Sequence, residues 1–267
     1  MIIVSQYEHD IIIKYGDKVV KSIDELSEML IKGDIVCWMY TNNISGEIFP
    51  IKEIGELCRS VGAFLISDCT AAIGHVDLPN DLEQWCDCVV MSGHKFGGGY
   101  MGCMWLSDRL CEVLDIKEPS DLASGTPNVN GIDEFVRAFE LANKDIDNKN
   151  VEWENLGFYL QDKFIENHIK YEGVLNKNVG TYAINTIRLP GINADALQQY
   201  LASKQIYIGR GASACDSNSD DFRVLQAYGL TKKEASEVIR VSFSEWNTVD
   251  DINELVREIK EFKEKFV

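Results

Sequence analysis

Short apolar runs recur along the first half of the chain, separated by amphipathic segments. Residues 34–40, 63–67, 86–92 and 101–107 are dominated by β-branched, aromatic and other apolar side chains, and we expect each to form a strand. Within each run the apolar residues are continuous instead of alternating with polar ones. This pattern is typical of a mainly parallel sheet with helices on both faces.

The segments between these runs carry the start and stop signals of helices. Residues 22–33 begin with Ser22 at the N-cap position, have Glu25 three residues later and finish with a glycine. Residues 50–62 have a proline in the first turn and a glycine at the end. Strands that alternate with helices in this way predict an α/β fold.

The second half of the chain has a different pattern. Residues 132–168 predict two long helices. Further along, the pattern predicts strands at 181–190, 206–209 and 238–243 and helices at 193–204, near 221–229 and at 248–266. We therefore expect two domains, with the parallel sheet in residues 1–145 and a smaller α+β unit in residues 146–267.

Composition narrows the range of partners. The 267 residues include 26 Lys and Arg against 43 Asp and Glu, which gives a net charge of −17. Such a surface repels phosphate backbones and anionic lipid, so we expect no direct binding to nucleic acid or membranes. No apolar run approaches the roughly 20 residues that a membrane span requires, and the N-terminus has no signal-peptide pattern.

The eight cysteines are scattered and lack the spacing of a disulfide framework, which favours the reducing cytoplasm. Cys86 and Cys88 form a CxC pair, but no second pair of cysteines or histidines nearby completes a zinc site. We expect free thiols and no bound metal.

Polar side chains follow three of the predicted strands at the point where each strand ends. Because the carboxyl ends of parallel strands meet at one edge of a sheet, we expect these side chains to share a binding site. A lysine forms an imine with an aldehyde, and an aspartate facing a pyridine nitrogen keeps that nitrogen protonated. The set fits pyridoxal phosphate, with a hydroxyl and an imidazole available for its phosphate. The residues are Asn42 and Asn43 after the first strand, Asp68 after the second, and Ser92, His94 and Lys95 after the third.

The string GGGYMG at residues 97–102 matches the glycine pattern of a nucleotide-binding loop. In such a loop the glycines open a helix, whereas here they precede a predicted strand. We expect instead a turn in which two stretches of backbone approach closely.

Four stretches of the sequence form a set of motifs. They are YTNNISGEIFPIKEIGELCRSVGAFLISDCTAAIGHVDLP, SGHKFGGGYMGCMWL, SGTPN, and GASACDSNS followed by EVIRVSFSEWNT. In this order they resemble the NifS/IscS-like cysteine desulfurases of the class V aminotransferase family, and the resemblance extends over essentially the whole chain. It implies an incomplete fold-type I α/β fold, in which residues 1–145 form a truncated cofactor-binding domain.

The resemblance implies roles for individual residues. Lys95 resembles the lysine that holds the cofactor as a Schiff base and acts in catalysis, and Asp68 resembles the partner of the pyridine nitrogen. It also implies that Asn43 contacts the phenolic oxygen, that Ser92 and His94 contact the phosphate, and that Thr126 contacts the phosphate of a neighbouring subunit. In addition, it places His94 among the catalytic residues and Asn43 near the substrate.

Three further residues acquire roles from the same resemblance. Cys215 lies in a loop of small polar residues and resembles the nucleophile that takes sulfur from bound cysteine. Arg240 resembles the residue whose planar guanidinium binds the substrate carboxylate, although an arginine in so acidic a protein also suits a surface ion pair. Arg210 occupies a position that carries another carboxylate contact in some desulfurases.

The sequence departs from the family pattern at two places. Ala71 stands where the family has a glutamine that hydrogen-bonds the phenolic oxygen of the cofactor. The sequence also starts within the family's large domain, without the phosphate-binding turn and the ring-stacking histidine that come first in the family. We expect a second polypeptide to supply that segment, with a homodimer or a degenerate relative as the alternatives.

The sequence therefore predicts a cysteine desulfurase that uses pyridoxal phosphate, either whole or as one half of a split enzyme. L-cysteine would be the substrate, and the sulfur would pass as a persulfide on Cys215 to an acceptor protein. Two alternatives remain open. One is a non-catalytic subunit that scaffolds a sulfur-transfer complex, and the other is a different class V enzyme, such as an aminotransferase or a selenocysteine lyase.

Overall fold

The computed structural model describes residues 1–122, 125–174, 179–211 and 222–267. The chain divides into two compact units, of which unit 1 comprises Met1–Asn42 and Phe49–Ile146 and unit 2 comprises Asn43–Ile48 and Asp147–Val267. The division after Ile146 lies one residue from the boundary expected between 145 and 146. The placement of Asn43–Ile48 in unit 2 has no counterpart in the prediction.

Unit 1 is built on a six-stranded sheet with the strand order β2-β1-β3-β4-β5-β6. Neighbouring strands are parallel, except that β5 and β6 are antiparallel. The prediction of a mainly parallel α/β sheet is thus confirmed. The strands are β1 (Ile2–Ser5), β2 (Lys18–Val20), β3 (Ile35–Cys37), β4 (Phe64–Asp68), β5 (Cys88–Ser92) and β6 (Gly102–Leu106). The helices are α1 (Asp10–Ile13), α2 (Ile23–Met29), α3 (Ile51–Val61), α4 (Asp108–Leu114) and α5 (Val129–Asn143).

The central strands of this sheet are buried on both faces. Ile3 and Val4 are neighbours in β1 and therefore point to opposite faces, yet both are 0% exposed. This burial explains why the apolar runs in the sequence are continuous. Strand β3 ends at Cys37, whereas the prediction extended it to residue 40.

Helix α3 illustrates how local sequence positions an element against the sheet. Its residues Ile51, Ile54 and Cys58 are buried and lie on one face of the helix, at spacings of three and four. The helix ends at Gly62, which has a φ of 80° and donates its N–H to the carbonyl of Cys58. A glycine adopts this left-handed conformation without steric cost, so the predicted stop signal has a direct cause.

A buried ion pair holds the start of β5 against its neighbours in unit 1. The carboxylate of Asp87 is fully buried and accepts hydrogen bonds from Arg109 Nε at 3.0 Å and Nη2 at 2.6 Å. The same carboxylate accepts the backbone N–H of Leu65 at 3.0 Å, and Arg109 also donates to the carbonyl of Ala63 at 2.7 Å. One side-chain pair therefore links the beginning of β4, the beginning of β5 and helix α4.

Unit 2 contains a four-stranded antiparallel sheet with the order β7-β8-β10-β9. Ile252, Leu255, Ile259 and Phe262 on its last helix are buried and supply much of the apolar face that the helix pattern predicted. The strands are β7 (Glu172–Gly173), β8 (Ile184–Arg188), β9 (Gly209–Arg210) and β10 (Val238–Ser242). The helices are α6 (Ile146–Glu166), α7 (Ala194–Ser203), α8 (Arg223–Ala227), α9 (Lys232–Ala235) and α10 (Val249–Phe266).

Residues 1–21, to which the sequence pattern assigned no element, hold β1, α1 and β2. The apolar stretch of β1 is only four residues long, too short for the pattern to separate a strand from other apolar segments. Within the described part of the chain, no helix is both long and apolar enough to cross a bilayer.

Candidate functional site

Adjacent strands of unit 1 bring four of the predicted cofactor residues to one edge of the sheet. Strands β4 and β5 are parallel neighbours, with Asp68 paired to Val90. Asp68 is the last residue of β4, and Ser92 is the last residue of β5. His94 and Lys95 follow in a 3-10 turn at Gly93–Lys95. We call Asp68, Ser92, His94 and Lys95 the strand-end site.

Asp68 presents one carboxylate oxygen that no described residue engages. Its Oδ1 accepts the backbone N–H of Thr70 at 2.8 Å, which fixes the orientation of the carboxylate. Among the described residues, no donor reaches Oδ2. The side chain is half-buried, so the second oxygen remains available to a protonated ring nitrogen.

The amine and the imidazole of the strand-end site are exposed. Ser92 Oγ lies 2.7 Å from His94 Nδ1, so hydroxyl and ring are hydrogen-bonded to each other. In the described part of the chain, Lys95 has neither an ion pair nor a side-chain hydrogen bond. Its amine is therefore unoccupied by any neighbouring acid. Thr126 is also exposed, and it lies between the end of α4 and the start of α5.

The glycine-rich segment after Lys95 forms the predicted tight turn between β5 and β6. The N–H of Gly93 bonds to the carbonyl of Met101 at 2.7 Å. A β-carbon at Gly93 would lie 2.5 Å from the carbonyl oxygen of Gly98, which leaves no room for a side chain. The backbone on either side of Lys95 is thereby held closely, while the lysine side chain extends outward.

In unit 2, Arg240 is a half-buried arginine that has no carboxylate partner among the described residues. Its Nη1 donates to the backbone carbonyl of Asn43 at 2.7 Å. Its Nε is buried without a partner, and the described residues provide no ion pair to this side chain. Burial lowers the pKa of the Arg240 guanidinium. The described residues do not provide the surface ion pair that the sequence also suits, so this guanidinium has the capacity to bind an anion.

The other substrate residues predicted from the sequence are placed differently. Asn43 lies next to Arg240 through its backbone, and its side-chain amide has no hydrogen-bond partner among the described residues. Arg210 is already engaged, because its Nη1 lies 2.5 Å from Asp195 Oδ1. Cys215 lies outside the residues that the structure describes.

Five cysteines of unit 1 have thiols that burial makes unreactive. Desolvation raises the pKa of Cys37, Cys58, Cys69 and Cys88 to about 12 each, and it raises the pKa of Cys86 as well. The thiolate is the nucleophilic form of cysteine. These five thiols are therefore poor candidates for a nucleophile, whereas Cys103 is exposed.

We expect a thiol reagent at pH 8 to modify Cys103 in the folded protein and to leave the five buried cysteines unmodified. At this pH a thiol with a pKa of about 12 is almost entirely protonated. Mass spectrometry of peptides after labelling measures the modification site by site. Rapid modification of Cys37 or Cys58 without unfolding would contradict this assignment, and the same reagent in denaturant provides the fully labelled reference.

Comparison with known proteins adds a family to this geometry. Residues 11–255 match the family model described as aminotransferase class-V, which covers most of the chain. The chain belongs to the class V aminotransferase family. Members of this family use pyridoxal phosphate, so the family implies the same cofactor as the strand-end site.

Among curated proteins, this class V chain is similar to cysteine desulfurases. It is 31% identical over 263 residues to the cysteine desulfurase IscS of Methanosarcina thermophila, covering 94% of this chain and 62% of the relative. It is also 31% identical to the cysteine desulfurase of Sinorhizobium fredii, covering 84% of this chain and 59% of that protein. The resemblance to NifS/IscS-like desulfurases is confirmed, and the chain spans about three fifths of the length of these relatives.

Solved structures support the fold assignment for the class V chain. The structure of the NifS-like protein from Rickettsia africae matches with a TM-score of 0.84 and 25% identity. The match covers 98% of this chain and 75% of that protein. The chain therefore has the fold of NifS-like enzymes, which confirms the prediction of a fold-type I fragment.

The contacts that support Arg240 do not follow from the local sequence pattern. The carbonyl of Asn43 and the side chain of Arg240 are separated by 197 positions in the chain. A pattern of apolar and polar residues reports burial and local structure but not long-range pairing. The sequence does predict Asn43 as a site residue, but it does so because of the side-chain amide and not because of the backbone carbonyl that contacts Arg240.

Proposed function

We propose that this chain is the catalytic-lysine part of a pyridoxal-phosphate-dependent cysteine desulfurase, which converts L-cysteine to L-alanine. The observation that carries the proposal is the strand-end site. It combines a carboxylate oxygen and an amine that have no protein partner among the described residues. The sequence identity to curated cysteine desulfurases extends over most of this chain, and it supports L-cysteine as the substrate.

The residues present fit the cofactor. The free Oδ2 of Asp68 would hold the protonated pyridine nitrogen, and Lys95 would bind the aldehyde carbon through its amine. Ser92 and His94 can donate to the phosphate, and the unpartnered amide of Asn43 suits the phenolic oxygen. Thr126 is exposed and would serve the phosphate of a neighbouring subunit. When bound, the cofactor supplies an electron-accepting ring.

The chain's own residues would then carry out the remaining steps. Lys95 would remove the proton at Cα of the substrate as a general base, and His94 would assist proton transfer. Arg240 would bind the substrate carboxylate through its unpartnered Nε and the rest of its guanidinium. Arg210, engaged by Asp195, would reach a carboxylate only by exchanging that partner.

Cys215 is our proposed acceptor of the sulfur. Its thiolate would attack the sulfur of the bound cysteine, so that an S–S bond forms as the substrate's C–S bond breaks. The electron pair of the C–S bond remains with the substrate carbon, which takes a proton and becomes alanine. No external oxidant is needed, and the persulfide on Cys215 passes its outer sulfur to an acceptor protein.

The partner that we propose is a second chain, either a different polypeptide or another copy of this one, that associates with the sheet of unit 1. Strand β6 supports a partner at this sheet, because β5 is its only pairing strand in the described part of the chain. Its Met104 and Trp105 are 47% and 39% exposed on opposite faces. The seven described cysteines are all free, which supports a reducing compartment such as the cytoplasm.

The test is the release of alanine from L-cysteine by the purified protein, with its partner, in the presence of pyridoxal phosphate. We expect stoichiometric alanine and sulfide under reducing conditions, and no alanine from Cys215→Ala. Cys103→Ala, which removes an exposed thiol, should remain active and serves as the control. A selenocysteine lyase would instead retain activity toward selenocysteine in Cys215→Ala.

A second candidate function is a non-catalytic subunit that scaffolds a sulfur-transfer complex. Ala71 in place of an amide and the exposure of Lys95 favour it. This candidate predicts neither alanine release nor binding of pyridoxal phosphate by the complex. Detection of either result therefore decides between the two functions.

A further inference from the structure

Six residues from the first half of the sequence are built into unit 2. We call Asn43–Ile48 the inserted segment, since unit 1 residues flank it on both sides. Its backbone is bonded at nearly every position. The carbonyl of Asn43 accepts from Arg240, that of Ile44 from the hydroxyl of Thr186, and that of Gly46 from the N–H of Thr181 at 2.9 Å, while the N–H of Ile48 donates to Val179 at 2.9 Å.

The side chains of the inserted segment add a closed ring of hydrogen bonds with Tyr228. The hydroxyl of Tyr228 donates to Glu47 Oε2 and lies 2.9 Å from Ser45 Oγ, which can donate to it. The backbone N–H of Glu47 donates in turn to Ser45 Oγ at 3.2 Å. Ser45 is 1% exposed, and Tyr228 and Glu47 are half-buried. We call Ser45, Glu47 and Tyr228 the three-residue ring.

The three-residue ring lies at a point where the backbone has little freedom to move. Gly46, between two ring members, has a φ of 80°, and a β-carbon there would lie 3.1 Å from Ile184. Burial raises the pKa of Glu47, and the hydrogen bond from Tyr228 opposes that shift. Burial of the Glu47 carboxylate costs desolvation free energy, and at this position the carboxylate fixes the geometry of the inserted segment.

We infer that Tyr228 is a positioning residue, which holds the inserted segment so that the carbonyl of Asn43 orients Arg240 for binding a carboxylate. The inference rests on the proposed function, in which Arg240 binds the carboxylate of the substrate. Among the described residues, the hydrogen bond from Nη1 to Asn43 is the one that holds the Arg240 guanidinium, so a shift of the inserted segment moves that contact. Removing the hydroxyl of Tyr228 breaks two of the three bonds of the ring.

The experiment measures carboxylate binding at Arg240 directly. Protein with its partner, labelled with ¹⁵N-arginine, is titrated at pH 7 with propionate and separately with L-alanine. The Nε–H signal of Arg240 is assigned by its loss in Arg240→Gln. We expect a saturable shift in the wild-type protein, and about fivefold weaker binding in Tyr228→Phe, because the inserted segment loses both hydrogen bonds to the hydroxyl.

Two variants separate positioning from general destabilisation. Tyr200→Phe removes a similar bond, from Tyr200 to Glu258 at 3.0 Å in the same unit, and should bind as the wild type does. Glu47→Gln keeps an oxygen that accepts a hydrogen bond from Tyr228, so this variant should retain near-normal carboxylate binding. In the activity assay, Tyr228→Phe should raise KM about fivefold with little change in kcat.

The possible results test the positioning role of Tyr228 separately from the carboxylate site at Arg240. If Tyr228→Phe binds like the wild type while Arg240→Gln abolishes the shift, the positioning role is wrong and the carboxylate site stands. If Tyr200→Phe weakens binding as much as Tyr228→Phe, the effect is general and the positioning role is also wrong. If neither probe shifts Arg240 in the wild type, both the positioning role and the carboxylate site are overturned. In that case the protein can still release alanine from L-cysteine, so the alanine assay tests the desulfurase activity separately.

Discussion

Replacement of Lys95 by alanine is expected to abolish alanine release and the covalent attachment of pyridoxal phosphate. The amine at this position has no ion pair among the described residues, and it follows the strand that pairs with the one ending at Asp68. In the proposed function, the substitution removes both the group that attaches the cofactor and the general base. We expect activity to fall by at least about 1,000-fold. Borohydride reduction followed by peptide mass spectrometry locates the attachment.

A matched lysine provides the control for this prediction. Lys144 is also exposed in unit 1, at the end of α5, and Lys144→Ala should keep both activity and attachment. Attachment of the cofactor at another lysine in wild-type protein would refute the assignment of Lys95. Full activity of Lys95→Ala would refute the proposed chemistry as a whole.

The second large effect that we expect concerns stability. Asp87→Ala should lower the free energy of unfolding of unit 1 by about 3–5 kcal/mol. The change leaves Arg109 without its carboxylate and leaves the N–H of Leu65 without its acceptor, in a place where Asp87 is 0% exposed. Urea unfolding monitored by tryptophan fluorescence measures the loss.

An exposed ion pair in the same unit is the reference for that measurement. Asp133 and Arg137 are paired at 2.9 Å on the surface of α5, with side chains 60% and 75% exposed. Asp133→Ala should therefore cost no more than about 0.5 kcal/mol, because water screens such pairs. Equal losses in Asp87→Ala and Asp133→Ala would show that burial does not strengthen the inner pair.

The sheet of unit 1 was predictable because its strands are buried on two faces. Burial forces continuous apolar runs, and the runs at 63–67 and 86–92 correspond to β4 and β5 within two residues. The polar residues that end those strands follow from the same register. Consequently the sequence alone is sufficient to predict that Asp68 and Lys95 lie at the same edge of the sheet.

The environment of Arg240 was not predictable in this way. Its hydrogen-bond partner Asn43 lies 197 positions away in the chain, and no local pattern connects the two residues. The sequence identified Arg240 and Asn43 as separate candidates. Whether a guanidinium finds a carboxylate or a backbone carbonyl depends on tertiary contacts, and here it finds the carbonyl.

The inserted segment has a consequence for how the polypeptide reaches its native state. The six residues leave the ribosome long before β8 and β10, to which they bond through Thr186 and Arg240. Unit 2 cannot complete its hydrogen bonding until the last strand has been synthesised. A fragment that starts at Asp147 would lack an integral piece of its own domain, so the two halves of this protein cannot be separated by a single cut.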